Sequence, residues 1–196
     1  MEDRHELIKV RMEKIERLRA LGVNPYPYSF ESTAGARELV EGFRDSEEPE
    51  KGERICLAGR IMSFRRKGKV AFAHIDDGLS KIQVYMRRDQ LGEEAYEVVK
   101  LLDIGDFIGV KGFVFRTHAG EVTINVEDLA LLCKALRQLP IVKEKVVGGE
   151  KKVCDKVEDK ELRYRQRYVD LVVNPGVKEV FRTRARVIAA MRKFLD

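Results

Sequence analysis

Aromatic and hydrogen-bonding side chains recur at every second position in two short segments that also contain β-branched residues. Phe72 and His74 lie two residues apart in the first segment, and Gln83 and Tyr85 lie two apart in the second. Alternate residues of a strand point to opposite faces, so each pair shares a face opposite apolar neighbours. An exposed face of this kind can stack nucleobases, at about 1 to 3 kcal/mol per contact. A solvated outer face with Phe72 turned into the core explains the same pattern, and the sequence leaves both interpretations open.

A strongly basic turn precedes the first of these segments. Arg65, Arg66, Lys67 and Lys69 surround Gly68. Lysine and arginine side chains attract nucleic-acid phosphates, and the turn is therefore a candidate backbone contact. A charged hairpin tip that keeps the protein soluble is an equally good interpretation.

Histidine and cysteine spacing indicates neither a metal site nor a disulfide framework. The three histidines and three cysteines are His5, His74, His118, Cys56, Cys133 and Cys154. None of the histidines has a companion ligand at metal-binding spacing, and the cysteines are odd in number and far apart. The sequence also lacks a Ser/His/Asp or Cys/His arrangement and a phosphate-binding glycine loop. We therefore expect no catalytic residue and no metal in this chain.

The elements that must position the candidate residues are strands. Hydrophobic patterning predicts five of them, over residues 55–64, 70–76, 81–87, 107–117 and 122–133. A helix is predicted over residues 93–102, between the third and fourth strands. This order is typical of a five-stranded OB-fold barrel, here over residues 53–139 of a mainly β protein with flanking helices. Another small Greek-key barrel fits the strand count, but the interposed helix favours the OB-fold.

Helical segments flank the predicted barrel. An amphipathic helix is predicted over residues 3–21 and a short helix over 35–43, which together make residues 1–52 an N-terminal helical extension. Residues 140–158 are predicted to be a linker. Helices are then predicted over residues 159–173 and 178–195.

Composition and charge restrict the class of protein. The 196 residues are 44% hydrophobic and 36% charged, which excludes a disordered chain. No stretch reaches the roughly 18 apolar residues of a membrane helix, and the charged N-terminus excludes a usual secretory signal. The sequence thus predicts a soluble, cytoplasmic protein with no membrane partner.

Positive charge is concentrated at one end of the chain. The net charge is +5, and residues 160–196 contribute ten basic against four acidic residues, which is +6. Such asymmetry indicates either a polyanionic partner or an acidic surface that belongs to a further domain. We favour the second interpretation.

Four segments resemble the class II lysyl-tRNA synthetases. They read GVNPYPY at residues 22–28, AGRIM at 58–62, KALRQLP at 134–140 and LRYRQRYVDL at 162–171. The last segment is the most specific, because the related aspartyl and asparaginyl enzymes share the barrel but carry different versions of this arginine-rich stretch. The similarity extends over essentially the whole chain.

The resemblance implies an N-terminal fragment of such an enzyme. It would contain a helix that assists tRNA binding, an OB-fold anticodon-binding domain and the helical start of a truncated class II catalytic domain in residues 159–196. In the intact homodimeric enzyme, ATP and Mg²⁺ would activate lysine as lysyl-adenylate, which then passes to tRNA(Lys). Since the motifs that hold ATP, Mg²⁺ and lysine in this family are missing, we expect the fragment alone to be inactive and to bind no cofactor.

The resemblance also transfers the anticodon contacts of the family to Arg65, Phe72, Gln83 and Glu121. Their chemistry suits uracil, because a ring can stack on the base while the polar groups donate to its carbonyls or accept from its N–H. Arg66, Lys67, Lys69 and His74 are candidates for additional RNA contacts. His74 departs from the family pattern at its position, and a plain surface histidine is the favoured interpretation there. The alternative function is a stand-alone OB-fold RNA-binding module without catalysis.

Overall fold

The computed structural model describes residues 2–45, 48–140, 143–147, 150–154 and 160–195. The chain forms two compact units, Met1–Gln138 and Leu139–Asp196. We describe each unit separately.

The first unit is built on a closed five-stranded barrel. Its strands follow the order β1-β2-β3-β5-β4, in which β3 and β5 pair in parallel and all other neighbours are antiparallel. This architecture confirms the predicted OB-fold. The strands are β1 Ile55–Lys67, β2 Val70–Asp76, β3 Lys81–Arg87, β4 Phe107–Arg116 and β5 Val122–Cys133.

Predicted and observed strand ends agree except in β1 and β4. Strand β1 extends to Lys67, because it pairs with β2 as far as the turn at Gly68, whose φ of 61° suits glycine. Strand β4 ends one residue earlier than predicted, at Arg116.

Alternation along the strands separates the barrel core from its outer face. In β2 and β3 every second residue is buried, and the residues between them are at least partly exposed, as the sequence predicts. Phe72 belongs to the half-buried outer set, so the interpretation that turns it into the core is wrong. The core residues of these two strands are Ala71, Ala73, Ile75, Ile82, Val84 and Met86.

Two helices connect β3 and β4. Helix α3 spans Arg88–Leu91 and helix α4 spans Glu93–Leu101, separated by Gly92 at φ 83°. Only the second was predicted. The buried Tyr96 of α4 donates its hydroxyl to the carbonyl of Gly68 at 3.1 Å, so this helix supports the β1–β2 turn.

Helix α1 (Glu2–Ala20) precedes helix α2 (Ala36–Glu41), and α1 is attached to the barrel unit by charged side chains. Arg11 is only 6% exposed and donates to the carbonyl oxygens of Ala135 and Ile104 at 2.6 and 3.1 Å. Lys14 contacts a carboxylate oxygen of Asp103 at 2.6 Å. These contacts explain why the amphipathic helix has charged residues on its inner side.

A buried lysine completes this charged contact. The Nζ atom of Lys134 lies 2.6 Å from both Asp103 and Asp106. Burial alone would raise the pKa of Asp103, but hydrogen bonds from Lys134 and Lys14 outweigh burial and hold this pKa below its ordinary value.

The second unit begins with a hairpin inside the segment predicted as a linker. Strand β6, Lys143–Val147, pairs antiparallel with β7, Glu150–Cys154. Their sequences, KEKVV and EKKVC, are mostly charged, and hydrophobic periodicity therefore gave no sign of strands. Residues 141–142, 148–149 and 155–158 of the predicted linker lie outside the described residues.

Three helices follow in the second unit. They are α5 Lys160–Arg165, α6 Arg167–Val173 and α7 Pro175–Leu195. The helix predicted over residues 159–173 is thus interrupted at Gln166, whose φ and ψ of −116° and 53° are not helical. Helix α7 starts earlier than predicted because proline is well tolerated at a first helical position. In the described part of the chain, no helix is long and apolar enough to cross a membrane.

Candidate nucleic-acid interface

The strand register arranges ten side chains in two rows across the outer face of the barrel. Each row crosses all five strands, in the order β1, β2, β3, β5 and β4. The aromatic row consists of Arg65, Phe72, Tyr85, Asn125 and Phe113. The polar row consists of Ser63, His74, Gln83, Thr123 and Phe115.

Neighbouring rings of the face are in contact. Phe72 and Tyr85 stack with centroids 4.6 Å apart and planes at 27°. The ring centroid of Phe115 lies 6.1 Å from that of Tyr85 and 6.4 Å from that of Phe113. Phe72 and Tyr85 are each partly exposed, and such a stacked pair can continue onto a nucleobase.

Glu121 joins two members of the polar row. The Nε2 atom of His74 lies 2.7 Å from one carboxylate oxygen, and the Nε2 atom of Gln83 donates to the other at 2.5 Å. Glu121 ends the tight turn between β4 and β5, where its backbone N–H donates to the Thr117 hydroxyl at 3.1 Å. Glu121, which belongs to neither row, thereby becomes part of the site.

This hydrogen-bond network around Glu121 extends to β1 on one side and to β5 on the other. The hydroxyl of Ser63 lies 2.7 Å from Nδ1 of His74, and the hydroxyl of Thr123 donates to Oε1 of Gln83 at 2.9 Å. A carboxylate only accepts, so His74 presents an Nε2–H to Glu121, while the Ser63 hydroxyl, which can donate or accept, is the partner of Nδ1. The arrangement offers fixed donors and acceptors beside the aromatic pair.

The basic residues of the β1–β2 turn are divided between two faces. Arg65 pairs with Phe72 and Lys67 with Val70, so both lie on the face of the two rows. Arg66 pairs with the buried Ala71 and therefore lies on the opposite face. Lys69 occupies the turn itself and is exposed.

A bulge in β1 decides this division. The register with β2 shifts between Ile61 and Ser63, and this shift exchanges the faces of the residues that follow. Ser63 and Arg65 consequently join the outer face, while Phe64 packs against the core. Without the bulge, regular alternation from Ile61 would have turned Ser63 and Arg65 inward and Phe64 outward.

The structure therefore brings together most of the residues singled out from the sequence. His74, Gln83 and Glu121 form one hydrogen-bonded group, and Phe72 lies two residues before His74 on the same face of β2, adjacent to Arg65. Arg66 is separated from them. Sequence reasoning missed Ser63, Thr123, Asn125, Phe113 and Phe115.

Long-range pairing explains why those residues were missed. Alternation within β4 and β5 was visible in the sequence, but the parallel pairing of β3 with β5 was not. Phe113 and Asn125 are also nearly covered, at 4% and 7% exposure, and Arg54 lies over the Phe113 ring at 5.3 Å. Of the two rows, the accessible part is therefore on β1, β2 and β3, together with the partly exposed Phe115 of β4.

Comparison with known proteins agrees with this geometry. A family model named for the tRNA anticodon and described as "OB-fold nucleic acid binding domain" matches residues 55–132, almost the whole barrel.

Curated relatives match the entire chain. The lysine–tRNA ligase of Pelotomaculum thermopropionicum is 49% identical over 195 residues, which is 100% of this chain and 36% of that protein. The enzyme of Moorella thermoacetica is 45% identical over 196 residues, 100% of this chain and 37% of that protein. The enzyme of Syntrophomonas wolfei is 49% identical over 191 residues, 97% of this chain and 36% of that protein. The chain thus spans about a third of the length of these relatives. It belongs to the lysine–tRNA ligase family and corresponds to the N-terminal part of its members.

Proposed function

We propose that the outer face of the barrel binds the anticodon of tRNA(Lys) and serves as the anticodon-reading part of a lysine–tRNA ligase. The observation that carries this proposal is the stacked Phe72–Tyr85 pair beside the amide of Gln83 held by Glu121. Membership of the lysine–tRNA ligase family indicates which RNA is bound, namely tRNA(Lys), whose anticodon is rich in uracil.

The side chains match the chemistry of that base. A uracil stacked on Phe72 would present two carbonyl acceptors and one N–H donor along its pairing edge. Arg65 can donate to a carbonyl, Gln83 can both donate and accept, and Glu121 can accept from the N–H.

The phosphate backbone would follow the basic residues around the rows. Lys67 shares the face of Phe72, and Lys69 lies at the adjacent turn. His74 would add a polar contact beside the stacked base. Arg66, on the opposite side of the strand, is the least favourable of the proposed RNA contacts.

Aminoacylation is proposed for the whole protein only. We infer that ATP, Mg²⁺ and lysine bind in the part of the relatives' length that this chain does not span, in a homodimeric, cytoplasmic enzyme. Among the described residues, no group of three His, Cys, Asp or Glu side chains that could hold a metal ion is found.

Binding of isolated anticodon stem-loops tests the proposal. The purified chain is titrated with loops that carry UUU or GUC at one near-physiological salt concentration, because the electrostatic part of RNA affinity varies with salt. We expect at least about tenfold tighter binding of the UUU loop, a difference of about 1.4 kcal/mol. Equal affinity for the two loops would indicate a sequence-independent RNA-binding module, and absence of binding would reject the proposal.

A further inference from the structure

The amide of Gln83 is held at both ends in one orientation. Its Nε2 donates to Glu121 at 2.5 Å, and its Oε1 lies 2.9 Å from the buried Thr123 hydroxyl, whose one proton it shares with the Glu121 carbonyl at 3.1 Å. The carboxylate has no proton to give, so it determines which end of the amide faces it. If the amide were turned over, its oxygen would face the carboxylate oxygen and lose this bond.

Glu121 itself needs support, because its side chain is 45% exposed and belongs to a turn. That support comes from His74, whose Nε2 lies 2.7 Å from Oε1 of Glu121, while Ser63 holds the other ring nitrogen at 2.7 Å. The imidazole therefore connects β1 and β2 to the turn that carries the carboxylate. It acts on Gln83 through Glu121.

A fixed amide distinguishes uracil from cytosine. Each end of the Gln83 amide keeps one further hydrogen-bonding position for a base. Uracil presents the O4 acceptor beside the N3–H donor, whereas cytosine presents the N4 donor beside the N3 acceptor. When stacking on Phe72 fixes the base, an amide in one orientation matches one of these orders, but an amide free to turn over can match both.

We propose that His74 is a positioning residue that, through Glu121, fixes the amide of Gln83 and thereby sets the preference for uracil over cytosine. This inference rests on the proposed anticodon-binding function. It assigns a role to His74 that is separate from a direct contact with RNA.

The binding experiment uses stem-loops with UUU and with a single cytosine at each anticodon position, CUU, UCU and UUC. For the wild-type chain, the affinity ratio of UUU to the cytosine loop is expected to be about 5-fold or more at the position that Gln83 reads. In His74→Ala this ratio should fall to within about twofold of unity, with a smaller loss of affinity for UUU. His74→Gln should restore the ratio, because its amide can donate to Glu121 and accept from Ser63.

His118→Ala is the matched control, since His118 is an exposed histidine in the same turn as Glu121. It should leave every ratio unchanged. A His74→Ala chain that keeps the wild-type ratio, or that loses affinity equally for all four loops, would overturn the positioning role while leaving the proposed function intact. A wild-type chain that does not prefer UUU to GUC would overturn both.

A measurement without RNA separates positioning from general loss of structure. ¹⁵N relaxation of the Gln83 side-chain amide should show restricted motion in the wild type, increased motion in His74→Ala and restricted motion again in His74→Gln. Backbone relaxation of β2 and β3 should be the same in all three. An equally restricted Gln83 amide in His74→Ala would contradict the inference.

Discussion

At the residue scale, base stacking and hydrogen bonding are assigned to different side chains of one face. Phe72 and Tyr85 provide the aromatic surface, and Gln83 and Glu121 provide polar groups whose directions are fixed by their neighbours. Stacking tolerates any base, whereas a fixed donor and acceptor pair does not. Affinity and specificity should therefore respond to different substitutions.

Phe72→Ala tests the stacking contribution. Affinity for the UUU stem-loop is expected to fall by about 1 to 3 kcal/mol, because one aromatic contact with a base is lost. The fold should persist, since Phe72 is not part of the core. Titration measures the affinity and circular dichroism checks the fold. Tyr28→Ala, a substitution of a fully exposed aromatic residue outside the two rows, is the control, and an unchanged affinity of Phe72→Ala would remove Phe72 from the interface.

Strand alternation made half of this site predictable. It placed Phe72 with His74 and Gln83 with Tyr85 because those positions depend only on a period of two within one strand. The contacts of Ser63 and Thr123 could not be predicted, because they depend on the β1 bulge and on the parallel pairing of β3 with β5. Glu121 was found by resemblance, and its contact with His74 needed the geometry of the turn.

At the scale of elements, the β1–β2 hairpin and helix α1 perform different tasks. The hairpin presents basic residues at the edge of the accessible face, and α4 supports its turn through Tyr96. Helix α1 is fastened to the barrel unit by Arg11, Lys14 and their partners. We propose that the first arrangement contributes to RNA affinity, whereas the second concerns stability.

Lys67→Ala tests the role of the hairpin. Loss of one phosphate contact should weaken binding of all single-stranded RNAs about equally and reduce the slope of log affinity against log salt by about 0.7. Titrations at several salt concentrations measure both quantities. Arg66→Ala removes the same charge from the opposite face and should have a smaller effect. If Lys67→Ala affected the UUU loop alone, the turn would be reading bases and the phosphate assignment would be wrong.

Acid should weaken the attachment of α1. The folded-state pKa of Asp103 lies below its ordinary value, so its ion pairs stabilise the protein fully above about pH 3.9 and lose that contribution as pH falls through the lower folded value. Asp103→Asn should lower the free energy of unfolding by about 1.5 to 3 kcal/mol at pH 7. It should also flatten the decline in that free energy as pH falls below about 3.9.

Urea unfolding at several pH values measures this effect. Asp89→Asn, which changes an exposed aspartate, should leave both the stability and its pH dependence nearly unchanged. An equally steep acid decline in Asp103→Asn would show that other carboxylates control it.

At the scale of the whole molecule, the two units differ in composition and in how well they were predicted. The barrel unit has strongly periodic strands, and its order of elements was visible in the sequence. In the second unit, the charged β6–β7 hairpin has no hydrophobic period, and the break at Gln166 falls inside an otherwise helical pattern. Weak local signals, overridden by pairing and backbone conformation, account for these differences.

Charge is also distributed unevenly between the units. Residues 160–196 carry a net charge of +6, whereas the whole chain carries +5. The remainder of the chain is therefore close to neutral. Non-specific attraction of RNA could therefore act at the second unit, whereas specific recognition is assigned to the outer face of β1, β2 and β3. The surface that binds the UUU stem-loop therefore distinguishes specific recognition from non-specific attraction.

Chemical-shift mapping tests the assignment to β1, β2 and β3 most directly. The ¹⁵N-labelled chain is titrated with the UUU stem-loop, and the backbone amide chemical shifts are followed along the chain. We expect the largest changes at the outward residues of β1, β2 and β3 and at Glu121. The largest changes in α1 or α7, or changes spread evenly over the chain, would contradict it.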